Sequence, residues 1–423
     1  MEQHERGKSG LRVVIVSFLI LALLGTGFVS GAAAERAALI PGSVVGEPPG
    51  VASTVGVLWQ AWDLVQEHYV DRTAVDPRRM TYGAVEGMLD SLGDVGHTRF
   101  LSPEALRAEQ QSLSGQLEGI GAELGVRDGH PTIVAPIEGS PAQRAGLRTG
   151  DVIVRVDGKD VTGLTVEQIV SLIRGPAGTS VTVSVLHRGE MKVTDITIVR
   201  ARITVPNVSW SLLPGTQVAH VLISQFSEHT KDNLVSALTD ARSKGATAII
   251  LDLRNDPGGL RDEAIKVASQ FLREGNVLLE QDAQGRRTAY AVKPGGIALD
   301  LPLVVMINEG TASAAEIVAG ALQDQHRGLL VGTTTFGTGT VLSAYHLSDG
   351  SAILLGTEEW LTPGGRQIWH HGITPDVVVA LPADAAPLTP GEESGLTPAQ
   401  LQASKDAQLL RALKEVAGSA SSR

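Results

Sequence analysis

Between residues 202 and 383, short apolar runs alternate with longer helical stretches, and that alternation leaves few folds open to the chain. Ala219 to Phe226, Ala248 to Arg254, Leu301 to Ile307, Leu329 to Thr334 and Ser351 to Gly356 read as buried strands. Thr230 to Lys244, Leu260 to Leu272 and Ala314 to Asp324 read as helices. Strands that are apolar along their length need cover on both faces, and helices between them return the chain to a parallel neighbour. The expected fold class is therefore α/β, with a largely parallel sheet.

Residues 115–201 have a different texture, of short strands and glycine turns. Gly119-Ile120-Gly121-Ala122 opens the block, followed by Thr132 to Ala135, Gly139-Ser140-Pro141-Ala142 and Gly150-Asp151-Val152-Ile153. Leu164 to Glu167 starts a helix that ends before Gly175. Ser180 to Leu186 then alternates, with Val181, Val183 and Val185 on one face. The order of these motifs resembles a PDZ domain. The resemblance implies an exposed sheet edge that takes a peptide as an added strand. Gly119, Ile120, Gly121 and Ala122 would form the loop that receives its terminal carboxylate, glycine allowing close approach to the main chain. The plainer reading of these glycines is a strand entry.

Residues 55–114 carry helical apolar spacing at Val57, Leu58, Trp62, Leu64 and Val65, and a second helix around Tyr82 to Leu89. Ser102-Pro103-Glu104 reads as the start of a third. Before them, Arg6, Lys8 and Arg12 precede an uncharged run from Val13 to Ala34. Residues 1–34 read as a signal peptide or a membrane anchor, since the run reaches the roughly 20 residues that span a bilayer. Either reading places the rest of the chain outside the cytoplasm. Residues 35–54 read as a linker. The tail, 384–423, reads as mobile to Gly395, with one helix from Thr397 to about Val416.

Composition narrows the chemistry. The chain of 423 residues has no cysteine, which excludes disulfides, thiolate catalysis and cysteine metal sites. Net charge is -11 and no segment concentrates positive charge, which argues against nucleic acid as a partner. No metal-ligand spacing occurs; His370 and His371 are adjacent rather than one helical turn apart. No cofactor motif is present.

Two segments carry a catalytic pattern. Asn308 to Glu316 places Ser313 in a small-residue turn before the helix, and Thr335-Phe336-Gly337-Thr338-Gly339-Thr340-Val341-Leu342 follows. On local pattern alone, Ser313-Ala314-Ala315-Glu316 is a capping box. Together with Asp252-Leu253-Arg254-Asn255-Asp256-Pro257-Gly258-Gly259, these segments closely resemble the C-terminal processing peptidases, serine-lysine proteases that contain a PDZ domain. The resemblance implies a peptidase core over 202–383, with Ser313 as nucleophile. The N–H of Ala314 and that of Gly258 or Gly259 would form the oxyanion hole. Thr338 stands where that family has its lysine base, Leu342 where it has a glutamine, and Asp256 where it has an asparagine.

A serine hydroxyl needs an adjacent base, and threonine is not one. Candidate substitutes are His326, His370 and His371, with Glu358 and Glu359 on a nearby strand; the plainer reading of each histidine is a surface group. Two functions follow. One is an extracytoplasmic serine endopeptidase that binds C-terminal tails on its PDZ domain and cuts through a Ser313 acyl-enzyme. The other is a pseudopeptidase that holds such tails. Partners would be protein or peptide substrates, the membrane if the N-terminal segment is retained, and possible further copies of the chain.

Overall fold

The computed structural model of the chain describes residues 52–94, 97–127, 129–137, 139–204 and 207–421. The expected signal or anchor at 1–34, and the linker as far as residue 51, lie outside the described residues. Among the described residues, no helix is long and apolar enough to cross a membrane. The chain forms two units, one of residues up to 106 with 341–357, the other of 107–340 with 358 onward.

In the first unit, helix Ala52–His68 precedes helix Pro77–Asp90. Asp76 caps the latter by accepting from Arg79 N–H at 2.8 Å, and Pro77 occupies its first turn. Strand Arg99–Leu101 pairs antiparallel with residues 352–354. Phe100 lies against Tyr82, ring centroids 4.6 Å apart, and the Tyr82 hydroxyl donates to Asp349 at 2.7 Å. His97 is buried beside this strand, and burial pulls its imidazole down to about 4, so it is a neutral structural group.

The second unit begins with the β-rich block. Strands Ala122–Arg127, His130–Pro136, Val152–Val156, Ser180–Leu186 and Val193–Val199 form one antiparallel sheet in that order. Its core is aliphatic, with Ile133, Ile153, Ile169, Val183 and Ile198 each almost fully buried. Helix Val166–Ile173 opens with a capping box between Thr165 and Gln168.

The α/β part is a six-stranded sheet, ordered Val208–Leu212, Val218–Ile223, Ala248–Asp252, Leu303–Ile307, Leu329–Gly332 and Val377–Val378. The first pairing is antiparallel and the other four are parallel. Strands Ala248–Asp252 and Leu303–Ile307 are buried at every residue, which is why they read as unbroken apolar runs. The loops after 252, 307 and 332 leave from the same, carboxyl end of three adjacent parallel strands. That end is where open α/β sheets bind ligands.

Several expectations need correction. A hairpin, Asn276–Asp282 with Arg287–Ala291, was not anticipated, because charged and polar residues interrupt its apolar pattern. The strand expected to end at Gly356 runs from Ala352 to Leu361. The helix expected from Leu260 to Leu272 covers Arg261–Ala268. The tail before Gly395 is ordered, with a short helix Pro390–Glu393 whose Glu393 is fully buried. The single terminal helix is two, Pro398–Gln402 and Ala407–Ser421. Asp406 makes the break: it accepts from Leu409 N–H at 2.9 Å and from the Arg254 guanidinium at 2.9 Å.

Candidate active site

Three loops at the carboxyl end of the parallel strands build the site. The first follows Asp252. Asn255 has φ +56°, and exchanges two hydrogen bonds with Asn308 of the second loop: its N–H donates to Asn308 Oδ1, and its Oδ1 accepts from Asn308 Nδ2, each 2.8 Å. Thr311 Oγ1 donates to Leu253 O at 2.7 Å, and Ala312 N–H to Asp256 O at 2.9 Å. The two loops are thereby locked side by side.

Gly258 fits into the closest contact between them. A Cβ there would lie 2.6 Å from Ser313 Cβ and 2.7 Å from Ala312 O, and its φ is +93°. No other residue fits this place. A Cβ on Gly259 would stand 2.2 Å from Phe226 O. The Gly258 N–H donates to Asp256 Oδ1 at 2.8 Å, whereas Gly259 N–H makes no hydrogen bond among the described residues. Ala314 N–H, in the first turn of helix Ala314–Asp324, is likewise without an acceptor. Of the oxyanion donors expected from sequence, Gly259 and Ala314 are thus available and Gly258 is engaged.

Ser313 itself has φ +52° and ψ -118°, a conformation that costs a non-glycine residue about 1–3 kcal/mol. The third loop holds it there. Ser313 N–H donates both to Glu316 Oε2 at 2.9 Å and to Thr338 Oγ1 at 3.1 Å. Glu316 also accepts from Thr335 Oγ1 at 2.5 Å, Gly337 N–H at 2.8 Å and Thr338 N–H at 3.0 Å. Burial raises its carboxyl above the usual range, and these four donors oppose that rise. Glu316 is the pin that joins the serine turn to the glycine loop. Sequence reading saw only its capping half; nothing local indicates that the same carboxylate also spans to residues 335–338.

The substitute bases fall in different places. His326 stands past the far end of helix Ala314–Asp324, eleven residues from Ser313's end, or roughly 16 Å at 1.5 Å per residue, so the structure does not bring it to Ser313. His370 and His371 are exposed, on a turn laid against the glycine loop: His370 N–H donates to Gly337 O at 2.9 Å, and the His370 ring stacks on Trp369 at 4.6 Å. Glu358 faces Glu280, and burial raises its carboxyl. Glu359 pairs in register with Gln281. Leu342 is half-buried on strand Thr340–His346. Among the described residues no side chain hydrogen-bonds the Ser313 hydroxyl through its own acidic or basic group.

Asp256 is fully buried, and its Oδ2 has no hydrogen-bond partner. Burial pushes its carboxyl well above the usual range, and nearby Asp252 adds to the rise. Below this loop lies a second buried cluster that sequence reading missed. His220 bridges Asp252 at 3.1 Å and Glu393 at 2.8 Å, and Arg254 forks onto Asp252 at 2.7 Å and Asp406 at 2.9 Å. Burial disfavours the imidazolium, yet the two carboxylates lift it to about 9. Burial likewise works against the Asp252 carboxylate, while Arg254 and His220 hold it down to about 2.

In the β-rich block, Gly119, Ile120, Gly121, Ala122, Leu124, Ile137, Val170, Ile173 and Ile203 help line a cavity of about 120 Å³. Gly121 has φ +76°, and a Cβ on it would meet Ser140 Cβ at 2.5 Å. The carbonyls of Ile120 and Gly121 accept from Ala142 and Ile137, while their N–H groups make no hydrogen bond among the described residues. Glu118 and Arg174 complete the lining, so a mainly aliphatic slot with unpaired N–H groups at Ile120 and Gly121 suits a bound peptide.

Comparison with known proteins agrees with this geometry. Residues 217–379 match the model of peptidase family S41, and residues 132–186 match a PDZ domain. The chain is 38% identical over 328 residues to a carboxyl-terminal-processing protease of Synechocystis, covering 76% of each chain. It is 36% identical to the carboxy-terminal processing protease CtpA of Bacillus subtilis, covering 76% of this chain and 68% of that one. A crystal structure of a putative S41 protease from Bacteroides fragilis shares the fold, with a TM-score of 0.52 at 18% identity over 85% of this chain and 97% of that one. The chain belongs to the C-terminal processing peptidases, the PDZ-containing serine proteases of family S41.

Proposed function

We propose that this protein captures the C-terminal tails of other proteins on its PDZ domain and hydrolyses a peptide bond through a Ser313 acyl-enzyme, outside the cytoplasm. The supporting observation is the Ser313 turn. Its strained backbone is held against Gly258, with the N–H groups of Ala314 and Gly259 unpaired beside it. Such donors stabilise the oxyanion of acyl transfer by about 2.7–4 kcal/mol each. The attacking hydroxyl passes its proton to a base other than lysine, because Thr338 stands at the lysine position. His370 and His371 are the candidates, on a turn whose His370 N–H donates to Gly337 O, one residue before Thr338. Extracytoplasmic location rests on the basic residues and apolar run at 6–34.

A second reading, a tail-binding pseudopeptidase, is favoured by one observation. The Thr338 hydroxyl is spent on Ser313 N–H, so the loop that should supply a base supplies a brace. The test is incubation of a partly unfolded protein ending in an apolar tail with the enzyme and with Ser313→Ala, followed by mass spectrometry of the products. Cleavage that disappears in the variant supports the peptidase. Absence of cleavage with saturable tail binding in both proteins supports the pseudopeptidase.

A further inference from the structure

Beside the oxyanion turn lies a carboxyl pair that the Ser313 chemistry does not use. Glu280 and Trp360 are register partners on neighbouring antiparallel strands, so their side chains leave the same face of the sheet. Glu358, two residues before Trp360, shares that face. Glu280 is buried: Arg261 Nη1 donates to its Oε1 at 2.8 Å and the Tyr290 hydroxyl to its Oε2 at 2.6 Å. Glu358 is half-buried and hydrogen-bonds Glu280. Arg261 forms its salt bridges with Glu280 and Asp262, which leaves Glu358 with none among the described residues. Two carboxyls this close hold together by sharing a proton; burial, then Glu280, raises the Glu358 carboxyl. The indole N–H of Trp360, on the same face, has no acceptor, although the side chain is only 5% exposed. A buried donor of this kind calls for a partner. Both loops that flank Ser313 reach this cluster. Arg261 follows the Gly258-Gly259 turn by two residues, and Trp360 N–H donates at 2.8 Å to the carbonyl of Gly339, the residue after Thr338.

We propose that Glu358, with Glu280 behind it, is a subsite for a lysine or arginine side chain of the substrate, next to the bond that Ser313 cleaves. The proposal rests on the peptidase reading above. A substrate ammonium or guanidinium takes the place of the shared proton and supplies the positive charge that Glu358 lacks. An adjoining main-chain carbonyl of the peptide offers the acceptor that the Trp360 indole lacks. An acidic substrate side chain is excluded by charge, because Asp282, the register partner of Glu358, adds a further carboxylate to the same face. Carboxyls can also take a metal ion, but among the described residues no group of three His, Asp or Glu could hold one.

The test uses matched fluorescent peptides with lysine or norleucine at one central position, acetylated and amidated so that no free carboxylate is offered to the PDZ slot. Their affinities for the full chain, held in detergent and carrying Ser313→Ala to prevent turnover, are read by fluorescence anisotropy. The expected result is a preference for lysine of at least ~10-fold, as a close charge pair gives. Adding Glu358→Gln, with the circular dichroism spectrum unchanged, should bring the two peptides within about two-fold of each other. With Ser313 intact, kcat/KM should show the same preference. Equal affinities for the two peptides, or a lysine preference that survives Glu358→Gln, overturns the inference. The two readings fail separately. Cleavage without a lysine preference removes the subsite and keeps the peptidase, whereas lysine-selective binding without cleavage keeps the subsite and removes the peptidase.

Discussion

Two side chains define the site at the scale of residues. Asp256 is a carboxyl enclosed without a positive partner, so burial raises it well above the value of about 3.9 at which the unfolded chain ionises it. The unfolded state is then the one that has released the proton, and stability falls as pH rises from there toward the raised folded pKa. Asp256→Asn removes that penalty. Its melting temperature should match wild type near pH 3 and exceed it increasingly toward pH 7; a gap independent of pH would refute the assignment. Thr338 is the second. Thr338→Lys returns an amine to the loop that Glu316 pins beside Ser313, and should raise Ser313-dependent turnover about 10²-fold, the lower range for a positioned general base. An unchanged kcat would show that the surrounding pocket no longer accepts the lysine. Ser313, the glycine pair and Thr338 could be picked out as candidates from the sequence because each sits in a contiguous motif. Glu316 was legible only as a cap, since its partners at 335–338 lie about twenty residues on and no local pattern joins them.

Among elements, the fold depends on loops packed backbone to backbone and on one buried ionic cluster. Gly258→Ala would force a Cβ to within 2.6 Å of Ser313 Cβ. It should abolish cleavage and lower stability by about 1–3 kcal/mol, as overpacking does, with tail binding unaffected. The ionic cluster fastens the C-terminal helices to the sheet. Removing one member leaves a buried charge unpaired, so Glu393→Ala should cost about 3–5 kcal/mol in urea unfolding at pH 7. His220 is held to about 9 in the folded state against an unperturbed value near 6.5. Its contribution is therefore full below about pH 6.5 and is lost as pH rises through 9, so the cost of Glu393→Ala should shrink by pH 10. A cost that does not change with pH would contradict the imidazolium assignment. The parallel strands were readable because burial on both faces makes them uniformly apolar. The ordered tail was not: Glu393 and Asp406 look solvent-exposed in a stretch rich in proline, glycine and glutamate, and only the partners His220 and Arg254, more than 150 residues earlier, make them structural.

For the whole molecule, the account separates capture from chemistry. The PDZ cavity and the Ser313 turn are built from different strands and share no residue. Ser313→Ala should therefore leave the Kd for a tail peptide within about two-fold of wild type. Val170→Glu, which places a charge in the apolar slot, should weaken tail binding at least ~10-fold. It should raise KM for a tailed substrate while sparing kcat, the signature of lost uniform binding; a fall in kcat with KM unchanged would contradict the separation. The central claim is that Ser313 still acts as a nucleophile without the lysine. The most direct measurement is intact-protein and peptide mass spectrometry after exposure to a fluorophosphonate probe. The account predicts one adduct, on the peptide that contains Ser313, in wild type and none in Ser313→Ala or Gly258→Ala. Folded wild-type protein that binds tails yet takes up no adduct at Ser313 would contradict it.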